Sequence, residues 1–113
     1  MRNTTSRPEK EHILVCLSSS PSNERIVRMA GTMAQAFCGS FTALYVQTPE
    51  DAAMNAEDTL RLQANIRLAQ HLGAEIVTMH SEDVPTQITE YARLSGVTKI
   101  VVGRSGVQRR HFW

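Results

Sequence analysis

Few residues in this chain are aromatic, only 5% of its 113, so stacked aromatic surfaces of the kind that grip single-stranded nucleic acid are not to be expected. Charge of one sign is also scarce: the formal net charge is +1, without the basic excess of a nucleic-acid binder. Two cysteines, Cys16 and Cys38, are too few for a disulfide framework. Both fall in apolar segments, where free, buried thiols are expected. No apolar run approaches the ~18–20 residues that span a bilayer, and the opening "MRNTTSRPEKEH" lacks the apolar stretch of a signal peptide. The expectation is a cytoplasmic chain without membrane contact of its own. Metal-type spacing is missing among His12, His71, His80 and His111. What remains, 42% hydrophobic and 20% charged residues, suits one globular domain over residues 12–113 after a disordered leader at 1–11.

The apolar pattern alternates along that domain. "HILVCL" (12–17) is a continuous run of strand length, as in a strand covered on both faces. Ile26, Val27, Ala30, Met33, Ala34 and Phe37 then recur at helical spacing, with Gly39 a plausible stop. "SFTALYVQ" (40–47) is rich in strand formers, and the polar "TPEDAAMNAED" (48–58) reads as a long connection. Leu62, Ile66, Ala69 and Leu72 mark a second helix closed by Gly73. "AEIVTMH" (74–80) is a third strand; Val84, Ile88, Tyr91 and Ala92 give a third helix, and "KIVVG" (99–103) a fourth strand. Alternating strands and helices imply an α/β fold, a doubly wound parallel sheet with right-handed crossovers and strand order 3-2-1-4. Because such sheets usually continue, the pattern reads as truncated before a last helix and strand.

In that order the switch point lies between the first and fourth strands, and ligands of such sheets bind beyond the carboxyl ends of the strands there. Those ends are Ser18-Ser19-Ser20 and Gly103-Arg104-Ser105-Gly106. Pro21 suits a first helical position and Ser20 an N-cap, so one serine has an ordinary structural task. Capping does not account for Ser18 and Ser19, nor for a second small, polar stretch across the same crevice. Free amides at a helix start suit phosphate. Catalysis finds less support: "GRSG" opens like a nucleophile elbow, but Val107 stands where its closing glycine belongs. Glu82 and Asp83, just before Pro85, read as acids at a helix start.

Residues 12–113 resemble the universal-stress-protein-like domain of KdpD-type potassium sensor histidine kinases. The likeness runs through "ILVCLSSSPSNERIVRMAGTMAQAFCGSFTALYVQTP", the following "NIRLAQHLGAEIVTMHSEDVPTQITEYARLSGVTKIVVGRS" and the arginine-rich end at Trp113. Members that bind cyclic di-AMP carry Ser-x-Ser and, twenty residues on, Phe-Thr-Ala-x-Tyr. Here residues 18–20 and, after residues 21–40, Phe41-Thr42-Ala43-Leu44-Tyr45 match that pattern in residues and spacing. The resemblance implies a universal-stress-protein or Rossmann-like fold and a non-catalytic sensory domain of a two-component system serving potassium homeostasis. It implies cyclic di-AMP as ligand, in a pocket that Ser18, Ser20, Phe41, Thr42, Ala43 and Tyr45 help to form; the switch-point reading adds Ser19, Gly103, Arg104 and Ser105 as candidate ligand-binding residues. Expected partners are the cyclic dinucleotide, the kinase portion of a KdpD-type protein and a second copy of the chain. ATP-binding members of the broader family carry an acidic residue at the end of the first strand, where this chain has Leu17 and Ser18. They also carry Gly-x-x-Gly, nine residues, then Gly-Ser or Gly-Thr; Gly103 and Gly106 supply the opening of that loop only. ATP, or a ligandless interaction module, is the alternative reading.

Overall fold

The computed structural model describes residues 10–103. Its elements are β1 (His12–Cys16), α1 (Asn23–Ala36), β2 (Ser40–Gln47), a 3-10 turn (Pro49–Ala53), α2 (Ala56–His71), β3 (Glu75–His80), α3 (Val84–Leu94) and β4 (Lys99–Val101). All pairings are parallel and the strand order is β3-β2-β1-β4, as the alternation predicts. The proposed leader lies almost wholly outside the described residues, as do Arg104, Ser105 and the arginine-rich end.

β1 sits centrally, which is why its run is continuously apolar: Ile13, Leu14 and Val15 are fully buried. Strand alternation divides them between two cores. Ile13, Val15 and Leu17 pack with Phe41, Ala43, Val27, Ala30 and Leu62 beneath α1 and α2. Leu14 packs with Leu44, Val46, Ile88 and Ala92 beneath α3. The sheet is therefore covered by two helices on one face and one on the other. Buried side chains are what hold these helices in place, since short helices are marginal on their own.

The serine-rich stretch ends differently from the expectation. α1 begins at Asn23 rather than Pro21, and the N-cap position belongs to Ser22, whose side chain makes no cap bond. Ser20 instead closes a turn: its hydroxyl accepts from the Ser22 amide at 3.2 Å and its carbonyl from the Asn23 amide at 3.0 Å. The cause is Asn23. Buried on the same helical face as Val27, Ala30 and Ala34, it anchors the first turn of α1 two residues later. By contrast, Asn55 and Asp83 cap α2 and α3 by accepting from Asp58 and Thr86.

The end of α1 also departs from expectation. The left-handed residue there is Cys38 (φ 53°), not Gly39, and Cys38 is consequently exposed rather than buried. Gly39 is needed for a different reason: a Cβ there would stand 2.4 Å from the Glu11 carbonyl oxygen. That carbonyl accepts from the Ser40 amide at 2.9 Å, so the close approach starts the β1–β2 ladder.

Candidate functional site

The carboxyl end of β1 leads into residues 17–22, and the carbonyls of Cys16, Ser18 and Ser19 are engaged from below or from the side. Asn23, 3% exposed, donates Nδ2 to the Cys16 carbonyl at 3.0 Å and accepts from the Ser18 amide through Oδ1 at 3.2 Å. Asn65, 4% exposed on α2, donates to the Ser18 carbonyl at 2.9 Å. Arg61 donates to the Ser19 carbonyl at 3.0 Å. Within the loop, the Ser18 hydroxyl accepts from the Ser20 amide at 3.1 Å, and the Ser20 and Ser22 hydroxyls share a bond at 3.0 Å. A polar loop beside a core needs such partners, because an unpaired backbone group out of water costs about 1–3 kcal/mol.

Ser18 and Ser20 meet Gly103, from the end of β4, around one open hollow of about 220 Å³. Its apolar walls come from Ile26 on α1 and Val84 on α3, and Cys16 also lines it. A Cβ at Gly103 would fall 2.7 Å from Ile26 Cδ1, so the glycine lets the β4 end lie close against α1. Burial pushes the Cys16 thiol up to about 12, which leaves it protonated and a poor nucleophile near neutral pH. Among the described residues, no group of three or more His, Cys, Asp or Glu side chains could hold a metal ion.

The Phe-Thr-Ala-x-Tyr stretch is divided by the pleat. Phe41, Ala43 and Tyr45 point to the α1–α2 face, whereas Thr42 points to the α3 face. Thr42 is 2% exposed and its hydroxyl pairs with Nε2 of His12 at 2.8 Å, while His12 Nδ1 meets the Ser95 carbonyl at 3.2 Å. Ala43 is fully buried opposite Val15 in the ladder. Phe41 lies near the start of β2, and it lines a separate cleft of about 920 Å³ at the amino ends of β2 and β3. These three side chains do not join the serine hollow.

Tyr45 stands higher, just beyond the point where the Leu17 amide donates to the Leu44 carbonyl at 2.8 Å. Its hydroxyl donates in a short bond to Asp51 on the 3-10 turn, and that carboxylate also accepts from the Thr48 amide at 3.1 Å. Burial and then the Asp51 carboxylate push the Tyr45 phenol above its ordinary value. The ring of Tyr45 is thereby fixed, its hydroxyl is already engaged, and the β2–α2 connection is tied down at the same carboxyl edge. Beside it, Gln47, Thr48, His80 and Glu82 border a second hollow of about 430 Å³ between the ends of β2 and β3.

Asn23, Asn65, Arg61 and Asp51 escaped the sequence reading, although two left a trace. Asn23 stands four residues before Val27, and Asn65 falls between Leu62 and Ala69, so each is a polar residue on an apolar stripe.

A parallel 3-2-1-4 sheet with its serine loop at the switch point defines a doubly wound α/β domain. Residues 10–112 match the Universal stress protein family, and the chain belongs to it. Two relatives are more particular: the sensor protein KdpD of Clostridium acetobutylicum is 42% identical over 95 residues, 84% of this chain and 10% of that protein. KdpD of Escherichia coli is 30% identical over 100 residues, 88% of this chain and 11% of that protein. The chain thus spans about a tenth of the length of these relatives. Among solved structures, a universal stress protein in complex with cAMP superimposes with a TM-score of 0.67 at 21% identity, over 93% of this chain and 84% of that one.

Proposed function

We propose that this chain is a non-catalytic sensory domain that binds cyclic di-AMP at the carboxyl edge of its sheet and regulates a KdpD-type potassium sensor kinase. The observation that carries the reading is the serine loop itself. The Cys16 carbonyl is drawn toward α1 and the Ser18 and Ser19 carbonyls toward α2, while Ser18 and Ser20 border the open hollow beside Gly103. A loop so arranged offers its hydroxyls to phosphate, at a helix start whose N-cap side chain makes no capping bond to the helix. The family, the KdpD relatives and the Ser-x-Ser and Phe-Thr-Ala-x-Tyr stretches support the same reading. The cAMP-bound relative supports an adenine nucleotide in general, which keeps ATP as the second reading.

A cyclic dinucleotide outgrows the 220 Å³ hollow, which falls below the usual small-molecule range of about 300–1,000 Å³. The second hollow lies two strand spacings along the same edge, about 10 Å, and suits the remainder of the ligand. On this reading Ser18, Ser19 and Ser20 hold phosphate with Gly103, Arg104 and Ser105 opposite, and Tyr45 contributes a ring face. Phe41, Thr42 and Ala43 serve from beneath by fixing the height and twist of β2. The test is amide chemical-shift mapping of the labelled chain with cyclic di-AMP. The amides of residues 18–20, 45–48 and 103 should shift; shifts confined to the cleft around Gly39 and Gly73, or no shifts, contradict the proposal.

A further inference from the structure

α2 touches the serine loop with two residues one helical turn apart. Asn65 takes the Ser18 carbonyl and Arg61 the Ser19 carbonyl. The guanidinium of Arg61 is itself held at two more points, with Nη1 on Asp58 at 2.9 Å and Nη2 on Glu57 at 3.1 Å. Asp58 is fixed in turn, since the Asn55 side chain accepts from its amide at 2.7 Å. In a planar trans peptide the carbonyl and the following N–H point in opposite directions. Drawing the Ser18 and Ser19 carbonyls toward α2 therefore turns the Ser19 and Ser20 amides away from it, and the Ser20 amide in turn holds the Ser18 hydroxyl at the hollow.

We infer that Arg61 and Asn65 are positioning residues that set the ligand-facing side of the serine loop, and that Arg61 acts through its forked geometry rather than its charge. The inference deepens the nucleotide-binding reading and rests on it. A lysine keeps the positive charge but cannot hold one carbonyl and two carboxylates in a fixed plane. This separates positioning from simple attraction of phosphate.

The experiment compares the parent chain with Arg61→Ala, Arg61→Lys and Asn65→Ala, measuring cyclic di-AMP affinity by calorimetry and loop amide–water exchange by NMR. Arg61 is half-buried on the rim of α2, with 29% of its side chain exposed and no part in either apolar core, so its two variants should fold and keep the parent melting temperature within a few degrees. Expected is a loss of affinity of about tenfold in both Arg61 variants, with faster exchange at Ser18 and Ser20 and unchanged exchange in α3. Parent-like affinity in Arg61→Lys, beside a loss in Arg61→Ala, overturns the inference in favour of charge. Should the parent bind no cyclic di-AMP, the nucleotide reading fails and exchange alone decides. Faster loop exchange in all three variants then upholds positioning, and unchanged exchange overturns it.

Discussion

Replacing Asn23 by alanine is the sharpest structural perturbation this fold offers. The side chain is 3% exposed and makes two bonds, donating to Cys16 at 3.0 Å and accepting from Ser18 at 3.2 Å. Alanine removes both and leaves a carbonyl and an amide facing a small void. Each lost bond is worth about 1 kcal/mol net, and a stranded buried group costs about 1–3 kcal/mol, so the total is about 2–4 kcal/mol. In a domain of this size each kcal/mol moves the melting temperature by about 4–8 °C, which makes a fall of about 8–32 °C. Urea unfolding followed by circular dichroism, with calorimetry for Tm, measures it. Asn23→Asp refines the test by keeping the acceptor for Ser18 while pointing a carboxyl at the Cys16 carbonyl. A buried carboxyl so placed has a raised folded pKa, so the variant should lose stability as pH rises above about 4 and be closest to the parent in acid. A drop in Tm below about 3 °C for Asn23→Ala would refute the role of this residue as the anchor of the loop.

Other consequences are as direct. Ser18→Ala and Ser20→Ala should each cost about 0.5–1.5 kcal/mol in urea unfolding, because each hydroxyl accepts one loop amide. Tyr45→Phe should cost about 1.5–3 kcal/mol by the same assay, through its bond to the Asp51 carboxylate. The raised Tyr45 phenol also implies that the parent loses stability as pH climbs above about 10, where the unfolded tyrosine ionises first. A thiol reagent at pH 8 should modify the exposed Cys38 quickly and Cys16 slowly, given a thiol pushed up to about 12. Cys38→Gly should raise stability by roughly 0.5–1 kcal/mol, by relieving a left-handed residue with a side chain.

The strand order and the switch-point crevice were legible because apolar length and spacing report burial, and burial dictates the layers. The unbroken apolar "ILVC" after His12 marks a central strand, and three helical stripes between four strands leave few topologies. Local chemistry at the loop was less legible. Ser20 and Pro21 carry the residue types of a helix start, yet buried Asn23 outweighs them and moves the helix. Gly39 looks like a helix terminator, whereas Cys38 takes the strained position and Gly39 answers to a backbone contact with Glu11, just ahead of the preceding strand. The resemblance groups Phe41, Thr42, Ala43 and Tyr45 as one pocket-forming stretch. The two-residue period of a strand splits them between two faces, and only partners far off in sequence, such as His12 and Asp51, reveal what each side chain does. The carbonyl partners on α2 belong to the same class, being contacts across 42 and 47 residues.

A calorimetric titration of the full chain with cyclic di-AMP and with ATP, repeated on Ser18→Ala, tests the central claim most directly. Cyclic di-AMP should bind the parent at least about tenfold more tightly than ATP, a difference of about 1.4 kcal/mol. Ser18→Ala should weaken it by about ten- to a hundredfold if that hydroxyl meets a phosphate. Equal affinity for the two nucleotides, binding of ATP alone, or parent-like binding by Ser18→Ala would contradict the account.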